Sequence, residues 1–205
     1  MFAEPIEGWN EWLFALVNAG ASSPPGLVAL ARVIAEGAPT LAALMLVLLW
    51  VRQGRAVRFA LLDATATALV GLAIAQVIVA LWYHPRPAEL GLGRQFLDHA
   101  PEASFPSDHA TLLFGLALPL VFDRAARPFG LAFLALALGT AWARVYLGVH
   151  CPADMLGGLA VALGACGGIV ALRGPLHGRL YPVVLGLYDR VLRKLHLPEA
   201  LFPRR

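Results

Sequence analysis

Arg86, Ser107, His109, Arg144, His150 and Asp154 form an ordered set of cationic, hydroxyl, imidazole and carboxylate groups in a chain that is otherwise oily. Guanidinium forks such as Arg86 and Arg144 can hold the equatorial oxygens of a phosphoryl group in transit through paired hydrogen bonds. A histidine attacks phosphorus only through a neutral ring nitrogen. Asp154 stands four residues beyond His150, one helical turn away, where it can accept a hydrogen bond from the other nitrogen and fix the tautomer. On this reading His150 is the nucleophile. His109 protonates the departing oxygen and then activates water against the phosphohistidine. Pro106-Ser107-Asp108-His109, followed by Ala110-Thr111-Leu112-Leu113, reads as a helix start with Ser107 near the cap. Backbone amides and the positive end of the helix dipole would face the same anion.

Each of these residues alone has an ordinary reading. An interfacial arginine snorkels, a serine before an apolar run caps a helix, and a single histidine is structural. The elements that carry them decide the matter. The chain has 205 residues, of which 59% are hydrophobic and 14% charged, and its mean hydropathy is +0.70; these values lie outside the range of a soluble domain and indicate an integral membrane protein. Apolar stretches run over about 26–51, 59–83, 107–122, 129–147 and 154–172, each near the length that crosses hydrocarbon as a helix. Residues 9–19 are apolar but short, with Glu11 and Asn18 inside, which fits an interfacial or re-entrant helix. The expected fold is therefore all-α: a polytopic membrane bundle of about six helices, five of them spans, in a single domain over residues 1–205.

Arg52, Arg55 and Arg58 share one side with Arg124, Arg127, Arg173 and Arg179. Segments 84–108 and 148–153 lie opposite. The positive-inside rule makes the first group cytoplasmic, so all six candidate residues meet at the outer face, at the ends of four helices. Residues 181–196 alternate apolar side chains with Asp189, Arg190, Arg193 and Lys194, which reads as an amphipathic helix on the inner leaflet. No Lys or Arg precedes Arg32, so the basic start of a secretory signal is missing and the N-terminus is expected to stay attached. The net charge of +3 is accounted for by the inner loops and calls for no nucleic acid. Cys151 and Cys166 stand roughly 20 Å apart along a helix, beyond disulfide reach. Glu36, Asp63 and Gln76 are polar residues inside spans, with Glu36 a candidate for the entrance to the site.

Arg86-Pro87, then Pro106-Ser107 with His109, then Arg144 with His150 and Asp154 resemble the signature of the type 2 phosphatidic acid phosphatase (PAP2) superfamily. That signature is Lys, six residues, Arg-Pro; then Pro-Ser-Gly-His; then Ser-Arg, five residues, His, three residues, Asp. The resemblance covers about residues 60–172 and both internal spacings of the third part are kept. It implies a six-helix core, a covalent phosphohistidine on His150, His109 as acid and base, Arg86, Ser107 and Arg144 as phosphate binders, and no metal or other cofactor. Three positions depart from it: Val79 stands where the family has Lys, Asp108 where it has Gly, and Ala143 where it has Ser. The stretches Trp82 to Pro87 and Ala103 to His109 further resemble the bacterial undecaprenyl diphosphate phosphatases of the bacitracin-resistance type. The substrate implied is a polyprenyl diphosphate, cleaved on the outer face of the bacterial inner membrane among membrane lipids.

Alternatives remain at this level. The same residues would serve a phosphatase for phosphatidic acid, phosphatidylglycerol phosphate or lipid A. His84, His99, His109, His150 and Asp154 are also metal-ligand types, although two guanidiniums would repel a divalent cation. A non-enzymatic bundle that binds anionic headgroups is the third reading.

Overall fold

A computed structural model describes residues 4–98 and 102–196, and His99 of the metal reading lies outside them. The described residues form α1 (Glu4–Val17), α2 (Pro25–Arg52), α3 (Arg55–Leu81), α4 (Asp108–Phe122), α5 (Arg127–Tyr146), α6 (Pro152–Ala171), a single turn α7 (Arg173–Pro175), a π-helical stretch (Leu176–Leu180) and α8 (Tyr181–Lys194). Proline sets several of the starts. Pro25, Pro128 and Pro152 occupy the first turns of α2, α5 and α6, where a missing N–H is harmless and the fixed φ suits the helix.

The helices α2, α3, α5 and α6 are long and apolar enough to cross a membrane, and Val33, Leu44, Val47 and Leu48 expose their side chains on the outside of α2. The stretch expected over 107–122 forms with nearly those bounds, but as a helix it is short for a crossing. With 15 residues, α4 extends about 22 Å at 1.5 Å per residue, against a hydrocarbon core of about 30 Å. Its surroundings explain why. It packs against α3, α5 and α6, and Leu113, Ala117 and Leu120 are fully buried, so α4 is enclosed by protein and need not match lipid. Small residues allow that enclosure. A Cβ on Gly115 would stand 2.8 Å from Ala68 Cα, and one on Gly158 would stand 2.7 Å from Ala110 Cβ and 2.9 Å from Ser107 O.

Polar ties close the bundle at both ends. At one end Asp63 is buried and accepts from Arg173 Nε at 2.9 Å and Tyr181 OH at 3.0 Å, with His177 Nε2 at 3.1 Å. Arg58, also buried, donates to Trp50 O at 2.8 Å and lies over the Tyr188 ring. Asp63 is thus part of a structural clasp that ties α7 and α8 to the bundle. The tail forms the amphipathic α8, which buries Tyr181, Leu185 and Leu192.

At the other end α1, 14 residues long, matches the short N-terminal helix expected. Asn10 Oδ1 accepts from Ala153 N at 2.9 Å, and Asn18 bonds Arg94 O at 2.9 Å and Tyr146 O at 3.1 Å. Gly148 has φ +77°, and a Cβ there would lie 2.2 Å from Arg94 O. Only glycine lets the turn after α5 pass beneath the 82–107 connection.

Candidate active site

The connection from α3 to α4, the N-terminus of α4, the end of α5 and the turn before α6 meet at one end of the bundle. They enclose a cavity of about 260 Å³ lined by residues that include Arg86, Asp108, His109, Arg144 and His150. A water occupies about 30 Å³ of liquid, so a phosphoryl group fits with room to spare. The imidazoles of His109 and His150 therefore face one anion-sized space.

His150 is held from both sides. Its Nδ1 lies 3.1 Å from Asp154 Oδ2 and 3.2 Å from Ser104 Oγ. Its Nε2 lies 3.4 Å from both Arg86 Nη1 and Arg144 Nη2. Guanidinium nitrogens only donate, so Nε2 carries the lone pair and Nδ1 carries the proton toward Asp154. Burial pushes the His150 imidazole down to about 4, with the charges of Arg144 and Arg86 acting the same way and Asp154 opposing. His150 is neutral at physiological pH.

Asp154 has a supporting shell of its own. Ser104 Oγ donates to Oδ2, and Cys151 N–H donates to the same oxygen at 2.9 Å. Asp154 is fully buried, so these donors hold a carboxylate that could not otherwise stay out of water. Pro152 opens α6 as its spacing predicts, and Asp154 closes back on the residue before it.

The two arginines differ in how their donors are spent. Arg86 is fixed by backbone carbonyls, with Nε donating to Glu102 O at 3.0 Å and Nη1 to Val149 O at 2.9 Å. Arg144 is 3% exposed and its Nε has no hydrogen-bond partner among the described residues. A buried unspent donor costs about 1–3 kcal/mol. An anion in the cavity would offset that cost.

Five of the six residues read from the sequence converge around the cavity, and Ser107 stands at the N-cap of α4, where the sequence reading expects it. It is fully buried and its Oγ accepts Ala110 N at 3.4 Å, while Pro106, Asp108 and His109 form the cavity wall. Ser107 caps α4, whose N-terminus opens on the cavity. Asp108 neither caps the helix nor pairs with an arginine: Gln76 Nε2 donates to its two oxygens at 3.1 and 2.9 Å. Val79, at the position of the family lysine, also lines the cavity. Glu36 is on the exposed face of α2 and outside the cavity wall. Among the described residues no three His, Cys, Asp or Glu side chains form a metal-ligating group. Cys151, buried beside Asp154, is pushed up to about 12 by burial and stays a thiol.

Ser104, Gln76 and Glu102 are the members that sequence reasoning missed as parts of the site. Gln76 carried a signal as an amide inside an apolar helix, whereas Ser104 and Glu102 sit in a loop without periodicity.

The PAP2 superfamily model matches residues 60–176, more than half of the chain. The chain belongs to the PAP2 superfamily. It is an all-helical, multi-pass membrane phosphatase of that family. "Putative undecaprenyl-diphosphatase YbjG" of Escherichia coli (strain K12) is 39% identical over 162 residues, spanning 78% of this chain and 81% of that protein. The undecaprenyl-diphosphatase BcrC of Bacillus subtilis (strain 168) is 30% identical, spanning 79% of this chain and 82% of that protein. The bundle also superposes on the crystal structure of Aquifex aeolicus LpxE with a TM-score of 0.66 at 19% identity, over 80% of this chain and 95% of that one. A PAP2 type phosphatidylglycerolphosphate phosphatase from Bacillus subtilis gives 0.60 at 18% identity, over 85% and 89%. These two likenesses speak to the PAP2 fold; the family assignment rests on the sequence matches.

Proposed function

We propose that this PAP2 phosphatase removes the terminal phosphate of undecaprenyl diphosphate, or a closely similar polyprenyl diphosphate, at the outer face of the bacterial inner membrane. The observation that carries the reading is the placement of His150 Nε2 between Arg86 and Arg144 while its Nδ1 is tied to Asp154. A neutral nucleophile, its orienting carboxylate and two phosphate clamps then surround one cavity. The polyprenyl specificity draws on YbjG and BcrC, the relatives that match most of the chain.

In the first step the His150 Nε2 lone pair attacks the terminal phosphorus, and the bond to the bridging oxygen breaks. The polyprenyl phosphate leaves, with His109 supplying a proton to that oxygen. Arg86 and Arg144 hold the three equatorial oxygens, and Asp154 stabilises the imidazole as it gains positive character. In the second step His109 takes a proton from water, whose oxygen attacks phosphorus; the P–N bond breaks, inorganic phosphate leaves and His150 is restored. No metal enters this scheme. The basic loops 52–58, 124–127 and 173–179 lie at the far end of the bundle, which favours the outward site by the positive-inside rule.

The test is phosphate release by the purified protein from a polyprenyl diphosphate and from phosphatidic acid, phosphatidylglycerol phosphate and lipid A, with a strong chelator present. The proposal expects the diphosphate to be turned over fastest, chelator to have no effect, and His150→Ala to be inactive. A second reading, lipid A dephosphorylation, draws on a Rhizobium etli lipid A 1-phosphatase that is 34% identical over 110 residues, and it expects the lipid A arm to lead.

A further inference from the structure

The cavity holds a carboxylate where the anion must sit. Asp108 shares its wall with Arg86, Arg144, His109 and His150, and Glu102 is the other acidic residue there. Among the described residues no guanidinium comes within ion-pair reach of Asp108. One Gln76 nitrogen, on the same cavity wall, serves both of its oxygens, at 3.1 and 2.9 Å, and fixes the side chain. An ionised carboxylate has about four acceptor sites and no proton to give. Lone pairs therefore remain toward the cavity, and whatever meets them has to donate.

A bare phosphoryl oxygen meets Asp108 as one negative charge meets another. A P–OH meets it as a hydrogen-bond donor. We propose that Asp108 is a specificity-determining residue that accepts a hydrogen bond from the hydroxyl of the terminal phosphoryl group, so that the site takes tetrahedral anions carrying a proton and rejects those that carry none. Gln76 is its positioning residue. This inference rests on the reading of the cavity as the phosphate site, and it explains why two arginines without the family lysine at Val79 suffice: the bound group has one negative charge fewer to neutralise. A phosphate monoester has its second pKa near 6, so a protonated fraction exists at neutral pH, and inorganic phosphate always holds at least one proton there. Sulfate, of the same shape, holds none.

The experiment measures competition by inorganic phosphate and by sulfate against turnover of a lipid diphosphate at pH 7, following the lipid product, with the full-length enzyme in detergent. An unmade hydrogen bond beside a like charge weakens binding, so phosphate is expected to compete at least about tenfold better than sulfate in the wild type. In Asp108→Asn and in Asp108→Gly, the residue usual in the family, that ratio should fall to within about threefold, chiefly because sulfate improves. A wild-type ratio near one overturns the proposal. So does a ratio that persists in both variants while both anions bind tighter, because Asp108 would then act through net charge alone. Failure of both anions to compete at any concentration overturns both the proposal and the phosphate-site reading beneath it.

Discussion

Nδ1 of His150 stands 3.1 Å from Oδ2 of Asp154, and both side chains are buried. His150 stands just before the Cys151 cap of α6 and Asp154 in its first turn, so the contact closes across the helix start. Removing the imidazole should abolish turnover. His150→Ala is expected to lose at least about a thousandfold in kcat with the fold retained, and Asp154→Asn about a hundredfold or more through loss of tautomer control. Denaturing gel analysis after brief exposure to radiolabelled substrate should show a base-stable, acid-labile phosphoenzyme in the wild type and none in His150→Ala.

Ser104 Oγ bonds the same Asp154 oxygen. Ser104→Ala leaves the carboxylate with one fewer donor and the imidazole less firmly held. The expectation is a fall of about tenfold in kcat with KM little changed, since Ser104 does not touch the phosphate. Steady-state kinetics with a lipid diphosphate decide it; a change confined to KM would contradict this role.

Arg144→Lys should be far from conservative. The lysine keeps the charge but loses the planar fork, and a turnover loss of about a hundredfold is expected with melting temperature nearly unchanged. The same swap at Arg86 should also lower the melting temperature, because its backbone partners, Glu102 O and Val149 O, lose their donors.

Acid should act late on catalysis and early on stability. Burial holds His150 down to about 4, so the nucleophile stays neutral as pH falls through the ordinary histidine value near 6.5, and its acid limb in kcat/KM belongs near pH 4. Between those values the unfolded chain binds a proton that the folded chain refuses. Stability therefore declines as pH falls from about 6.5 to about 4. Melting curves in detergent across that interval should show the decline, and His150→Ala should flatten it.

Asp63→Ala removes the acceptor shared by Arg173, His177 and Tyr181. Arg173 and His177 are each 33% exposed in their side chains, so solvent softens the loss and a cost of about 1–3 kcal/mol is expected. Activity should stay within about twofold, because the clasp is at the opposite end from His150. Thermal unfolding with a parallel activity assay checks both halves.

The residues legible in the sequence are those whose relations are local or whose types are costly in a membrane. Arg144, His150 and Asp154 show themselves through spacing along helices and the turn between them, and the long apolar runs mark α2, α3, α5 and α6. The length of α4 is legible in its apolar run, but its enclosure is hidden, because composition reports apolarity and not whether lipid or protein supplies the surroundings. Ser104 is hidden for a related reason. It meets Asp154 across 50 residues, and that meeting depends on how the 82–107 connection folds over α6. The capping role of Ser107 is legible in sequence from its place just before an apolar run, whereas its burial is not. Gln76 is visible as an oddity in α3, but its partner Asp108 emerges from the rotation of α3 against α4.

The 15 residues of α4 have one more effect. A short turn at residues 123–126 joins its far end to α5, so in the orientation proposed above Asp108 would stand several ångströms below the level that a full-length span reaches. A headgroup two phosphoryls long would meet that level with its hydrocarbon at natural depth, whereas a single phosphoryl would have to draw its first methylenes along. The length of α4 would then favour the proposed substrate over a monophosphate.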